Sequence, residues 1–225
     1  MKLIAIFLFL SISNMVRSQV QGSYSQANRL STDRQMHIKY SDSPVQGSAY
    51  FDTIYKNGKV IMNGKALAPS MMRYNAYTDE FELDNGQAVP KEEDIKVDLD
   101  SSIYQFMGYM DMGGHKKERG YLIPLNEGNT VLFLKTRKEY IKASVPKTGF
   151  DTYEEAKFKD DLGHYLLKKN RTVAEEIKLN KKNILKEIDN ESGDLKKYVS
   201  DNNLDLKDEK DVVRLLDYYN SLESN

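Results

Sequence analysis

Three Asn-Gly pairs, at Asn57-Gly58, Asn63-Gly64 and Asn85-Gly86, lie among short runs in which apolar and polar residues alternate. A two-residue hairpin turn needs positive φ at both central positions, and asparagine and glycine reach it at little steric cost. Alternation with a period of two sends successive side chains to opposite faces of a strand. The pattern therefore predicts antiparallel β structure. Residues 48–55 read as a strand, the first Asn-Gly pair as its turn, and residues 60–62 as the returning strand. Residues 71–83 read as one long bent strand or as two strands about a tight corner, with the polar Asn75 and Asp79 favouring a bulge or corner. Further strands are expected over 94–99, 103–110, 120–124, 130–141, 158–168 and 173–179, the last pair joined through Asn170-Arg171. With up to ten strands, the expected architecture is a meander forming a sandwich or a partly open barrel.

From Asn180 the apolar period changes from two to nearly four. Ile184, Leu185 and Ile188 suit one short helix, and Leu195, Tyr198 and Val199 suit a second, started by Ser192 or Asp194. Asp208 can cap a third by accepting from unpaired backbone N–H groups. Glu209 and Asp211 complement its positive end, and Val212, Leu215, Leu216, Tyr219 and Leu222 form one stripe. Helices this short cannot bury their stripes alone. The fold class is thus α+β, mainly β: a β domain over 48–179 with a three-helix cap over 180–225 packed on it. Fifteen tyrosines and eight phenylalanines suit half-buried strands, and the absence of cysteine means that apolar burial, not disulfides, must hold the fold.

The amino terminus carries Lys2, an apolar run from Leu3 to Ile12, and a polar stretch with Val16 and Ser18 placed for signal-peptidase cleavage. Residues 1–18 are read as a signal peptide and 19–47 as a flexible lead-in. The apolar run is about half the roughly 20 residues that cross a bilayer, and no later run approaches that length. The expected product is an exported, soluble envelope protein, periplasmic or extracellular, with no transmembrane segment after signal cleavage. Without cysteine it cannot be a lipoprotein. Charges on both faces of most candidate strands argue against a lipid-facing barrel.

Lys+Arg total 33 against 34 Asp+Glu, interspersed, so the basic footprint of a nucleic-acid binder is missing. The chain holds no His-Glu-x-x-His, no Gly-x-Ser-x-Gly, no phosphate loop and no dinucleotide fingerprint. Its three histidines, His37, His115 and His164, have no metal-ligand spacing to one another, and Asp111 with His115 offers two ligands where a site needs three or four. The Ser144-to-Gly149 and Ser200-Asp201-Asn202 strings imitate penicillin-recognising enzymes, but Lys147 would have to serve two motifs at once. Acidic groups at Glu92-Glu93-Asp94 and at Asp98 and Asp100 read as solvated surface. No cofactor, metal or catalytic residue is assigned.

The segment Arg73, Tyr74, Asn75, Tyr77, Asp79 and Glu80 has two readings. One is structural, with tyrosines on a sheet, Arg73 paired to a carboxylate, and Asn75 and Asp79 holding a corner. The other makes these six residues a partner-binding surface for an envelope protein, a glycan or a lipid. Together with Gly47-Ser48-Ala49-Tyr50, Gly58-Lys59-Val60 and the tail Leu216-Asp217-Tyr218-Tyr219-Asn220-Ser221-Leu222, the segment resembles an uncharacterised family of secreted proteins from Bacteroidota. Ala49 stands where that family usually has proline. The resemblance implies export and a shared fold, and no activity. The leading expectation is a non-enzymatic binding protein; the alternatives are a carboxylate-dependent envelope hydrolase and a purely structural oligomer.

Overall fold

A computed structural model describes residues 45–146, 152–170, 172–188 and 194–223. The expected signal peptide, nearly all of the lead-in, Arg171 and Ser192 lie outside them. The described strands are β1 (Lys56–Met62), β2 (Lys65–Ala66), β3 (Ser70–Asn75), β4 (Glu80–Leu83), β5 (Ile95–Leu99), β6 (Ser102–Met110), β7 (Lys117–Pro124), β8 (Thr130–Ile141), β9 (Lys157–Lys169) and β10 (Ala174–Ile177). The helices are α1 (Lys181–Ile188), α2 (Asp194–Asp201) and α3 (Glu209–Glu223). The chain is α+β and mainly β. No helix among the described residues is long and apolar enough to cross a membrane.

Strands β5 to β10 form a meander in which each pairs antiparallel with the next. The barrel then closes through one parallel seam, Ala174 opposite Tyr109 and Glu175 opposite Met110. Closure is possible because β6 serves two neighbours along one edge. Its first residues, Ser102 to Gln105, pair with β5, and its last two pair with β10. Opposite Lys135 and Arg137 of β8, β9 carries an irregularity in register with Gly163 at φ 84°. Such bulges let long barrel strands bend.

Alternation divides the side chains among three cores. Tyr109, Leu122, Phe133, Leu166 and Ala174, one from each barrel strand, are buried together inside the barrel. On β6 and β7 the alternate residues Phe106 and Tyr121 face outward into a second cluster with Met62, Met72, Phe81 and Ile95, covered by β1, β3 and β4. On β8 and β9 the outward Leu132 and Leu167 meet Ile184, Leu195, Val212, Leu215 and Leu216 of the helices.

Two expectations are corrected. Residues 48–55 form no strand, and Asn57-Gly58 is no turn; both residues lie within β1, paired with Met71 and Ser70 of β3. The glycine serves a close approach instead of a reversal. A Cβ at Gly58 would fall 2.7 Å from Met72 Sδ and 3.0 Å from the carbonyl of Asp98, so glycine lets β1 run between β3 and β5 without displacing either neighbour. Asn63-Gly64, with φ of 51° and 73°, does make the β1–β2 hairpin.

Helix α3 starts as its sequence suggests, with the N–H groups of Lys210 and Asp211 donating to Asp208 Oδ1 at 2.9 and 3.3 Å. Near its end, buried Asn220 ties the helix to the β7–β8 loop. Its Oδ1 accepts from the N–H of Thr130 at 2.9 Å, and its Nδ2 donates to the carbonyls of Glu127 at 2.9 Å and Thr130 at 2.8 Å. Gly128 makes room, since a Cβ there would lie 2.6 Å from that Nδ2. Asn220→Ala leaves the buried Thr130 N–H unpartnered, a loss of about 1–3 kcal/mol. Urea unfolding should show it as a lower midpoint at unchanged slope; a midpoint equal to that of the native chain would refute the clasp.

Candidate functional site

The apolar layer inside the barrel separates two polar ends of different character. One end is closed by a corner of the chain. Fully buried Asn75 shapes that corner, its Oδ1 accepting from the N–H groups of Tyr77 and Thr78 at 3.1 Å each and its Nδ2 donating to Glu82 Oε1 at 3.0 Å. The chain reverses between β3 and β4, and Asp79, at φ 58°, points its carboxylate at the barrel wall. There it accepts from the Tyr121 N–H at 3.2 Å and from the Tyr74 hydroxyl, and pairs with Lys135 Nζ at 2.6 Å. Lys135 also donates to the carbonyl of Tyr121 at 3.2 Å. Burial pushes the Lys135 ammonium below its ordinary pKa against the pull of Asp79, and lifts the Tyr74 hydroxyl well above its own. Gly120 permits the arrangement, since a Cβ there would collide with Asp79 Oδ2 and sit 2.9 Å from Lys135 Nζ.

Beside this clasp, Arg137 donates to the Tyr109 hydroxyl at 2.8 Å, and that hydroxyl donates to Glu118 Oε2 at 2.9 Å. His164 Nδ1 lies 2.6 Å from Glu176 Oε1, and its Nε2 lies 2.8 Å from Asp161 in a geometry too oblique for a hydrogen bond. Burial raises the Tyr109 hydroxyl to about 12. Hydrogen bonds from Lys116 and then Tyr109 hold the Glu118 carboxyl below the usual range. Cations and anions at this end are matched to each other, which makes it a plug.

The other end is open. A groove of about 830 Å³ runs across the start of β6, the end of β7, the start of β8 and the end of β9. Ile103, Pro124, Val131 and Phe133 form its floor, and Lys96, Gln105, Asn129, Lys168 and Asn170 its rim. Asn126 and Asn220 fix the loop at its edge, Asn126 Oδ1 accepting from the Leu132 N–H at 2.8 Å. The rim is different. The side chains of Lys96, Gln105, Asn129, Lys168 and Asn170 make no hydrogen bond or ion pair with any described residue. Some cations elsewhere are engaged, Lys56 with Asp100, Lys91 with Glu80 and Lys169 with Glu187, while others on the surface, such as Lys59, Lys65 and Lys182, have no partner among the described residues either.

The six residues singled out from sequence separate into two groups. Tyr74, Asn75 and Asp79 are brought together in the clasp. Arg73 lies on the outer surface, its guanidinium 2.9 Å from Glu82 and stacked over the rings of Tyr50 at 4.0 Å and Tyr55 at 4.5 Å. Tyr77 is exposed against Phe158 and Tyr140, and Glu80 pairs with Lys91. A small hollow of about 200 Å³ beside Arg73 is flanked by Phe51 and Ile54, both largely exposed. Sequence reasoning missed Lys135, whose inward position could have been read from its alternation with Val131 and Phe133. It also missed the groove, whose residues come from four separate stretches of the chain. Asp111 accepts from the backbone N–H groups of His115 and Lys116 as a loop brace, and Glu93 and Asp100 pair with Arg119 and Lys56. Among the described residues no group of three His, Asp or Glu converges as metal ligands. His37 and Lys147 lie outside them.

Two outcomes test this assignment. Gly120→Ala should cost about 1–3 kcal/mol by overpacking the clasp, read from urea unfolding; a native-like midpoint would refute the close approach. Burial also raises the hydroxyls of Tyr104 and Tyr121. With Tyr74 and Tyr109 these groups stay neutral in the fold after unfolded-chain tyrosines ionise near 10, so their stabilisation is complete below pH 10 and is lost as pH rises toward 12. Tyrosinate absorbance should rise in two phases, the later one coinciding with unfolding; a single phase near pH 10 in folded protein would contradict it. No protein-family model, curated protein or solved structure matches this chain.

Proposed function

We propose that this chain is an exported, non-catalytic binding protein of a cell envelope, and that its ligand sits in the open end of the barrel. One observation carries the reading. Charged and amide groups at the plugged end are satisfied by one another, whereas those on the mouth's rim have no partner among the described residues. A polar side chain held on a rigid frame without an intramolecular partner favours a ligand that supplies one. Barrel mouths are common places for such sites. Export rests on the hydrophobic amino-terminal run and on the resemblance to secreted Bacteroidota proteins. The partner classes are an envelope protein, a glycan or a lipid.

A second contact face is supported by the exposure of Phe51, Ile54, Met71 and Tyr77 near Arg73. It suits a protein partner better than a small ligand, because the hollow there is small and exposed apolar side chains surround it.

A thermal-shift screen of the exported chain against envelope glycans, lipids, divalent ions and a soluble envelope extract separates these readings. A ligand at a hundred times its dissociation constant stabilises the folded state by about 2.7 kcal/mol. The mouth reading expects a hit whose effect disappears in Gln105→Ala and Lys168→Met and survives Phe51→Ser. The reverse pattern would move the site to the Arg73 face. Turnover of a glycan or ester by the protein alone would replace binding with hydrolysis.

A further inference from the structure

Resting on the reading of the barrel mouth as a ligand site, we infer that the ligand is a saccharide carrying an anionic group, a uronate carboxylate or a phosphate. The first ground is depth. Leu122, fully buried, and Phe133, 4 % exposed, seal the barrel directly beneath the groove, and Tyr109, Leu166 and Ala174 fill the space below. The barrel interior below the groove is filled with side chains, so the ligand lies across the mouth.

The second ground is the contrast between floor and rim. Ile103, Pro124 and Val131 offer an apolar surface, while Gln105, Asn129 and Asn170 offer carboxamides that both donate and accept. A sugar ring has the same two-sided chemistry, with C–H groups on its face and hydroxyls around its edge that also donate and accept. A purely apolar ligand would leave the amides unsatisfied, at a cost for each.

The third ground is charge. Lys96 on β5 and Lys168 on β9 bring two ammonium groups to the groove, against the single carboxylate of Glu127, in a chain whose net charge is −1. Neither lysine is ion-paired among the described residues. Two unneutralised cations over an apolar floor select an anion, and a charge-assisted hydrogen bond to it is stronger than a neutral one. Lys96 faces Gln105 directly across the β5–β6 pair, which places an ammonium and a carboxamide side by side for the anion and a neighbouring hydroxyl.

Calorimetric titration of the exported protein with four probes tests this: trigalacturonate, its neutral methyl ester, mannose 6-phosphate and inorganic phosphate. One or both sugar acids should bind about tenfold more tightly than the ester and the inorganic ion. Lys168→Met should weaken that binding about tenfold, the loss of one charge-assisted contact, with the melting temperature kept. Which sugar acid binds identifies the source of the anion. Equal binding of trigalacturonate and its ester would overturn the anionic group, and inorganic phosphate binding as tightly as mannose 6-phosphate would overturn the saccharide. If none of the four binds, the ligand class is wrong; the mouth itself then stands or falls by whether Gln105→Ala abolishes a hit from the wider screen. A probe that binds equally well to Lys168→Met and Gln105→Ala overturns both readings.

Discussion

The ion pair between Asp79 and Lys135 joins the two halves of the β structure, because Asp79 belongs to the β3–β4 corner and Lys135 to the barrel wall. Taking two charges out of water is expensive, and their attraction repays the loss only where further hydrogen bonds complete both shells. Here the Tyr121 N–H and the Tyr74 hydroxyl complete the carboxylate, and the Tyr121 carbonyl helps to complete the ammonium. An apolar contact would hold the corner against the barrel with little preference for register. A pair this demanding admits one docking position, and Gly120 is the vacancy that makes it reachable.

Fixing the corner at one end of the barrel leaves the other end as the place where polar groups can face outward without a partner. Asn220 of α3 contributes there indirectly, by pinning the loop that borders the groove. The helices therefore do more than cover Leu132 and Leu167; they frame the mouth. The two ends of the barrel thus differ in character, with matched charges at the plug and, at the rim, side chains that have no partner among the described residues.

Much of the meander was legible because its information is local. β8 has the bounds that its alternation and the preceding Asn126-Glu127-Gly128 turn indicate, and α3 begins at the capping aspartate. Local reasoning failed where a distant segment decides the conformation. Asn57-Gly58 carries a hairpin pattern, yet β3 and β5 approach so closely that the glycine is needed in a strand. The parallel seam between β6 and β10 leaves no periodic trace, since neither strand records its partner. At the corner, Asn75 and Asp79 could be read as turn formers, but the burial that turns Asp79 into a clasp depends on Lys135 and Gly120, both far along the chain.

The most direct measurement is a pair of urea unfolding curves, for Lys135→Met and Lys168→Met, against the native chain. Both changes remove one ammonium and keep most of the stem. Lys135→Met should lose about 3 kcal/mol, the lower end for a broken buried pair, because Asp79, 19 % exposed, loses its cation. Lys168→Met should remain within about 0.5 kcal/mol of the native chain, as for a side chain the fold does not use. Native-like unfolding of Lys135→Met, or a loss of several kcal/mol in Lys168→Met, would contradict the division between plug and mouth.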